Sequence, residues 1–210
     1  MTMRDAFVAG YAPSAASPYY SGLALLAEAA RGAEGELAHR IGQESDEVVR
    51  RRDDALARLD RTADALAALG APAPDRPADA TEYAGWVESV FATADAVLAA
   101  GSAGSVAHLL GHVLGEGMAT LDALAIVWRL REAAPDHVLL RVQAESLEHE
   151  RATAERRLGK LAAHPLLPAT VQRATASAAR AIADRESFDA SARALTDHAL
   201  VIESGLQGGS

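Results

Sequence analysis

The feature that most constrains the fold is a central segment, residues 105–132, that is apolar on almost every side of a helix. A helix without a polar face is usually the central helix of a bundle. Gly111 and Gly115 lie four residues apart in this segment, a spacing that predicts close approach of a neighbouring helix. The large apolar residues responsible for the pattern are Leu109, Leu110, Val113, Leu114, Met118, Leu121, Leu124, Val127 and Trp128.

The composition favours helices throughout the chain. Half of the residues are hydrophobic but only 4% are aromatic, so small side chains supply much of the apolar content. Alanine is the best helix former, and helices rich in alanine can pack closely. The β-branched and aromatic runs that strands prefer are missing. The sequence therefore predicts an all-α protein.

Proline, glycine and capping residues divide the chain into helices and turns. We expect a single helical-bundle domain over residues 17–205, between a flexible N-terminal arm, 1–16, and a flexible tail, 206–210. A long, Pro-rich connection with its own helix joins the first helix pair to the second, which is the connectivity of ferritin-like bundles. The predicted helices cover 17–41, 45–69, 81–100, 105–132 and 135–163, followed by one or two further C-terminal helices.

Charge and the absence of cysteine exclude several classes of function. The net charge of −9 argues against nucleic-acid binding, which requires a basic surface. Without cysteine there are no disulfides and no thiolate metal sites. We find no signal peptide and no uninterrupted apolar run of about 18 residues, so we expect a cytoplasmic protein without a membrane partner. A homodimer and a small-molecule ligand in the bundle core are the partners that the sequence allows.

Three polar residues interrupt the apolar central helix. His108, His112 and Glu116 lie four residues apart and therefore share one line along the helix. The same line continues with apolar residues, so it is polar at one end only. This pattern predicts an internal polar layer at that end of the bundle.

An arginine on the predicted helix 45–69 is expected to join this layer. Arg52 lies in the middle of the apolar side of that helix, and a buried arginine requires a carboxylate partner. Glu34, on the preceding helix, is expected at about the same level. A Glu34–Arg52 pair is one interpretation, and an Arg52 side chain that reaches the surface is the other.

Two motifs in the second helix pair resemble the ferritin-like carboxylate proteins, especially the branch with aldehyde-deformylating oxygenases and tRNA hydroxylases. The stretch LGEGMATLDALAIV offers Glu116, and QAESLEHE offers Glu145. The family motif is Glu-x-x-His, whereas here the histidine comes one place later, as His149. The resemblance implies a carboxylate-bridged dimetal site with Fe or Mn. The predicted helix 45–69 contains no histidine, so the chain would be a degenerate member.

These observations lead to two hypotheses about function. In the first, His112, Glu116, Glu145 and His149 bind Fe or Mn in a metal-dependent oxidoreductase or hydroxylase, since imidazole and carboxylate suit such metals. In the second, the protein is a metal-free degenerate bundle that acts as a ligand-binding or protein-binding module. The missing histidine on 45–69 favours the second. The face that carries Glu145 is also typical of a solvated charged surface.

Overall fold

The computed structural model describes residues 2–207, and within that range the chain forms eight α-helices and no strand. The all-α prediction is confirmed. The helices are α1 (Met3–Ala29), α2 (Gly35–Arg50), α3 (Arg52–Ala68), α4 (Ala80–Val97), α5 (Ala103–Ala133), α6 (Val138–Leu161), α7 (Ala169–Ala183) and α8 (Phe188–Gln207).

The expected N-terminal arm is part of a buried helix. The Thr2 side chain caps α1, and every residue from Ala6 to Ala16 is buried. Pro18, which we expected to begin the first helix, lies inside α1 together with Pro13. The run of small residues before Pro18 resembles a linker in composition, but it packs against another helix. The expected tail begins inside α8, and its last three residues, 208–210, lie outside the described residues.

The centre of the bundle is a close pair formed by α1 and α5. A methyl group at Gly10 would lie 2.9 Å from the His112 backbone nitrogen, and one at Gly111 would lie 2.8 Å from that of Tyr11. A methyl group at Gly115 would lie 2.6 Å from Ser14 Cβ. Only glycine permits such backbone contact. The prediction that Gly111 and Gly115 admit a close neighbour is confirmed, and we call this contact the glycine seam.

The two helices of the seam run in the same direction. Near the start of α1, Gly10 lies against the backbone of His108, and further along α1 Gly22 packs beside Ile126. By contrast, α3 is antiparallel to α1, because Gly22 packs against Val48 just before α3 while Arg4 and Arg61 share one carboxylate partner at the other end. Therefore α3 and α5 point in opposite directions.

The ferritin-like connectivity is consequently not confirmed. The prediction required the segment 71–104 to reverse direction once, so that 45–69 and 105–132 would be parallel. The extended stretch 71–79 does run back along α3, where Arg76 forms an ion pair with Asp60. However, α4 then runs antiparallel to α1, since Tyr83 stacks on Tyr20 while Phe91 lies near His112. Because the chain reverses direction again at α4, α5 points opposite to α3 and not in the same direction.

Glycine conformations explain why the predicted helix ends were displaced. We expected the first helix to end at Gly42, which instead lies within α2. The turn occurs earlier, where Gly32 and Gly35 have φ angles of 77° and 58°. Glycine adopts these left-handed conformations without a steric penalty. The sequence offered three glycines as possible stops, and composition alone could not distinguish them.

The central helix α5 is surrounded by the others. In length and composition it would also suit a membrane-spanning helix, but 72% of its most apolar window is buried inside the protein, as in the core helix of a bundle. On one side α1 contacts α5. On the other side α6 and α8, which both run antiparallel to α5, pack along it. Helix α7 connects these two, so α6, α7 and α8 form an outer layer.

The buried arginine of this fold is not the predicted one. Arg52 and Glu34 are both exposed, so the prediction that they form a buried pair is wrong. Arg151, on α6, is 4% exposed and donates hydrogen bonds to Glu148 at 2.8 Å and to the Ile182 carbonyl oxygen at 2.7 Å. It therefore ties α6 to the end of α7. The i, i+3 pair with Glu148 compensates the buried charge locally.

Candidate functional site

A cleft of about 640 Å³ lies beside the seam, between α1, α4, α5 and α6. We call it the α4/α6 cleft. Helices α1 and α5 form its floor, and α4 and α6 form its walls. The residues that line the cleft include Ser14, Tyr83, Val87, Glu88, Phe91, His112, Glu116, His149, Glu150 and Arg157.

A chain of polar contacts crosses the floor of this cleft. The Ser14 hydroxyl lies 3.2 Å from His112 Nδ1, and His112 Nε2 lies 3.2 Å from Glu116 Oε1. On the far side, Arg157 donates to Glu116 Oε2 at 3.1 Å. His112 and Glu116 meet because they are i, i+4 neighbours on α5. Arg157 reaches them from α6, so this series of polar contacts links three helices.

Burial keeps the His112 imidazole neutral. It lowers the pKa of His112 to about 4, and the nearby cation Arg157 and the imidazole of His108 act in the same direction. The Phe91 ring stands edge-on to the imidazole, with 4.3 Å between ring centroids, and closes it off from the α4 side. A neutral imidazole has one N–H, so it can donate to only one of its two polar neighbours, the Ser14 hydroxyl at Nδ1 or the Glu116 carboxylate at Nε2.

Glu116 is subject to opposing influences. Burial raises the pKa of its carboxyl group, while Arg157 lowers it through charge and a direct hydrogen bond. Arg157 therefore compensates the negative charge that the Glu116 carboxylate brings to the cleft floor. Because the guanidinium is already engaged by Glu116, it contributes little free positive charge to the cleft.

His108 lies one turn before His112 but does not reach the cleft. It is buried, and burial lowers its pKa. Its Nε2 atom has no hydrogen-bond partner among residues 2–207, while Nδ1 lies 3.8 Å from Asp95. His108, His112 and Glu116 share one side of α5, but of the three only His108 is buried, so an internal polar layer stays a prediction. The other two predicted members, Glu34 and Arg52, are elsewhere and exposed.

The four residues predicted to bind metal are not brought together. His149 lies at the cleft, but Glu145 is exposed and is not among the lining residues. Across the part of the chain that the structure describes, no three His, Asp or Glu side chains converge closely enough to hold a metal ion. An Fe or Mn site needs several such donors around open positions. The donor set therefore does not fit the expected metal, because Arg157 occupies the place beside Glu116.

The order hydroxyl, imidazole, carboxylate is also that of catalytic triads, yet two requirements for that chemistry are not met. A base whose pKa is about 4 accepts protons poorly at neutral pH. Ser14 lies within α1, whose backbone N–H groups are engaged in the helix and cannot stabilise an oxyanion. The geometry suits a fixed polar floor better than a nucleophile.

Several residues of the cleft were missed by sequence reasoning. Ser14 lay in the expected arm, and Arg157 was not among the candidate residues. A usable signal existed in the spacing of small residues, because Gly10 and Ser14 on one segment match Gly111 and Gly115 on another. Matched small residues at four-residue spacing indicate helices in close contact, which would have placed Ser14 beside His112.

Comparison of the chain with protein-family models, with curated proteins and with solved structures finds no match in any of the three. Function must therefore be inferred from the geometry of the cleft.

Proposed function

We propose that this protein is a metal-free helical bundle that binds a small organic molecule, an amine-bearing cation with an apolar body, in the α4/α6 cleft. The observation that supports this proposal is the combination of a cavity of about 640 Å³ with unpaired carboxylates beside an aromatic wall. Cavities that hold small molecules usually have about 300–1,000 Å³ and few, well-placed polar groups.

The charges of the cleft favour a cation. Glu88 and Glu150 line it without any ion pair within 4 Å among residues 2–207. Arg157, the one arginine in the lining, is engaged by Glu116 at 3.1 Å. A surplus of two carboxylates remains, and the whole chain carries a net charge of −9. A ligand with a positive charge gains from both, whereas an anionic ligand is repelled.

The apolar wall favours a hydrocarbon body on the ligand. Tyr83, Val87 and Phe91 occupy one side of α4 and face the cleft. Aromatic rings attract cations as well as apolar groups. An arylalkylamine can therefore place its ring against α4 and its ammonium group near Glu88 or Glu150.

The series of polar contacts from Ser14 to Arg157, which is only partly buried, has a supporting role in this proposal. The neutral His112 holds Glu116, and Glu116 holds Arg157, so the guanidinium cannot turn toward a bound ammonium group. Loss of His112 would free Glu116 and loosen this arrangement. His112 is thus a positioning residue that keeps the cleft acidic.

The proposal is tested by calorimetric titration with three probes of similar size and different charge. These are 2-phenylethylamine, a cation; 2-phenylethanol, which is neutral; and 3-phenylpropionate, an anion. We expect the amine to bind with a dissociation constant about tenfold or more below that of the alcohol, and no measurable binding of the acid. Equal affinity for all three probes would contradict the proposal.

Matched variants locate the binding. Glu150→Gln removes one carboxylate of the cleft, and Glu145→Gln removes an exposed carboxylate from the same helix but outside the cleft. Both change the net charge equally. We expect only Glu150→Gln to weaken amine binding, by about three- to tenfold for a partly exposed charge. The same loss in both variants would indicate unspecific attraction by the acidic surface.

A further inference from the structure

We propose a second, independent binding site, for a small oxyanion, in a cavity of about 280 Å³ on the other side of the glycine seam. We call it the α3/α8 cavity. Residues of α1, α3, α5 and α8 line it, among them Arg58, Arg193, Thr196, Met118, Asp54 and Asp122.

The first observation is an unpartnered guanidinium nitrogen. Arg58 lines the cavity, and its Nη1 atom is buried without a hydrogen-bond partner among residues 2–207. Arg58 also forms no ion pair within 4 Å in that range. A buried donor on a charged group costs more when unsatisfied than a neutral one. An oxyanion in the cavity would supply the acceptor that the protein does not.

The second observation is that most acidic neighbours are already neutralised. Asp122 lies 3.3 Å from Arg51, and Asp189 lies 2.8 Å from Arg129. Burial raises the pKa of the Asp122 carboxyl group, and Arg51 opposes this effect. Only one carboxylate of the lining is left without an ion pair.

That remaining carboxylate is outnumbered. Asp54 is exposed on α3, whereas two guanidinium groups, those of Arg58 and Arg193, have no ion-pair partner within the described residues. The unpaired groups of the cavity therefore carry a net charge of about +1, and Arg58 is the one among them with a buried nitrogen. This is the reverse of the α4/α6 cleft, where the unpaired charges are carboxylates.

The third observation concerns neutral donors at the base of the cavity. The Tyr11 hydroxyl donates to Met118 Sδ at 3.6 Å, and the Thr196 hydroxyl approaches the same sulfur at 3.3 Å. Thr196 also lies 3.2 Å from the Ala192 carbonyl oxygen. A thioether sulfur is a weak acceptor. An oxyanion would be a much better acceptor for Thr196, whose side chain lines the cavity.

Size and donor geometry define the ligand class. A cavity of about 280 Å³ has room for inorganic phosphate or for a carboxylate with a short chain. A guanidinium group donates two parallel hydrogen bonds to either kind of oxyanion. The alanine and methionine side chains of the lining tolerate a short apolar tail, which phosphate lacks.

The experiment is a calorimetric titration of the full chain, in chloride-poor buffer, with inorganic phosphate in one arm and butyrate in the other. Binding in either arm supports the proposal and identifies the preferred oxyanion. We expect Arg58→Gln to weaken that binding about tenfold or more. Arg141→Gln, which removes an exposed arginine from α6 with the same change in net charge, is expected to leave it unchanged.

Two further variants keep the test decisive if Arg58→Gln does not fold, which circular dichroism will show. Arg58→Lys retains the charge without the planar fork, and we expect a partial loss of affinity. Arg193→Gln alters an exposed side chain and is expected to weaken binding about threefold. No binding of either anion overturns the proposal. The proposal is also overturned if an anion binds but the Arg58 and Arg193 variants weaken its binding no more than Arg141→Gln does.

The α3/α8 site can fail without affecting the proposed function, because the two cavities share no charged residue. In Arg58→Gln the amine probe should bind the α4/α6 cleft with unchanged affinity.

Discussion

The two cavities on either side of the glycine seam share a floor and differ in the charge that they leave unpaired. Both rest on α1 and α5, where small residues bring two backbones into contact. Among residues 2–207, Glu88 and Glu150 are unpaired in the α4/α6 cleft, whereas in the α3/α8 cavity the unpaired Arg58 and Arg193 outnumber the unpaired Asp54. The seam therefore gives both cavities their depth, whereas side chains of the outer helices determine the sign of the unpaired charge in each.

The floor itself is adapted to each side. Facing α4 and α6, α5 presents His112 and Glu116, a neutral imidazole and a carboxylate that Arg157 compensates. Facing α3 and α8, it presents Met118 and Asp122, a thioether and a carboxylate that Arg51 compensates. In both cases a protein cation neutralises the carboxylate of the floor. The selectivity of each cavity is therefore left to groups on the walls.

The largest expected effect comes from disrupting the shared floor. In Gly111→Ala the new methyl group would lie 2.8 Å from the Tyr11 backbone nitrogen, and even closer to the Phe7 carbonyl oxygen. Backbone cannot yield as a flexible side chain can, so we expect a loss of about 3 kcal/mol or more in the free energy of unfolding. Chemical denaturation measures it. Both the amine and the oxyanion should lose affinity together.

The matched control is Gly42→Ala on α2. A methyl group there meets no atom within 4 Å, and the position is helical. Alanine should stabilise the protein by about 0.5–1 kcal/mol, because glycine is the poorer helix former. A similar destabilisation in both variants would show that the seam is not close-packed.

A second effect should be confined to the cleft side and depend on pH. The pKa of His112 is about 4 in the folded protein and close to 6.5 when unfolded, so between these pH values the unfolded chain binds the extra proton. Stability from the neutral imidazole is complete above about pH 6.5 and is lost as the pH falls toward 4, at up to about 1.4 kcal/mol per pH unit and about 3 kcal/mol in total.

This pH dependence is measured as the difference in unfolding free energy between the protein and its His112→Gln variant, from pH 7 to pH 4.5. The difference should shrink steadily on acidification. A difference that stays constant over this pH range would mean that the His112 imidazole is not shielded from water as the structure indicates.

A smaller effect is expected at the contact that holds the cleft wall in place. The Tyr83 hydroxyl donates a hydrogen bond to the Pro13 carbonyl oxygen, which connects α4 to α1. Tyr83→Phe removes this one bond and keeps the stacking on Tyr20, so we expect a loss of about 1 kcal/mol. Amine binding should weaken slightly, since α4 would be held less firmly. Oxyanion binding should not change, and a change there would indicate that the two sides are coupled.

The sequence was sufficient for the helical class and for the burial of α5. Those conclusions depend on local pattern, because a helix that is apolar on almost every side is usually central and glycines four residues apart, such as Gly111 and Gly115, favour close contact with a neighbouring helix. The direction of α4 could not be predicted, since an extended stretch such as 71–79 can connect helices in either sense. The prediction of a flexible N-terminal arm was wrong for a related reason: alanine, glycine and serine are found both in linkers and in helix contacts.

The candidate site was harder to predict because it depends on which of several charged residues face inward. The polar end of α5 was visible in the spacing of His112 and Glu116. Their partner was not, since nothing local distinguishes Arg157 from the other arginines of the chain. On α3, Arg52 was selected by periodicity alone. The break at Arg51 separates α2 from α3, so a periodicity counted across it assigns the wrong face.

The smallest expected effect follows from that error and sharpens the comparison of the two sides. Arg52 and Arg58 belong to the same helix, but Arg52 is exposed and lines neither cavity, whereas Arg58 lines the α3/α8 cavity with a buried nitrogen. Arg52→Ala should therefore change the unfolding free energy by less than about 0.5 kcal/mol, as exposed substitutions usually do, and leave oxyanion affinity unaltered. A buried ion pair at Arg52 would instead require a loss of about 3–5 kcal/mol. Because these two ranges do not overlap, one denaturation curve of Arg52→Ala decides whether Arg52 points inward.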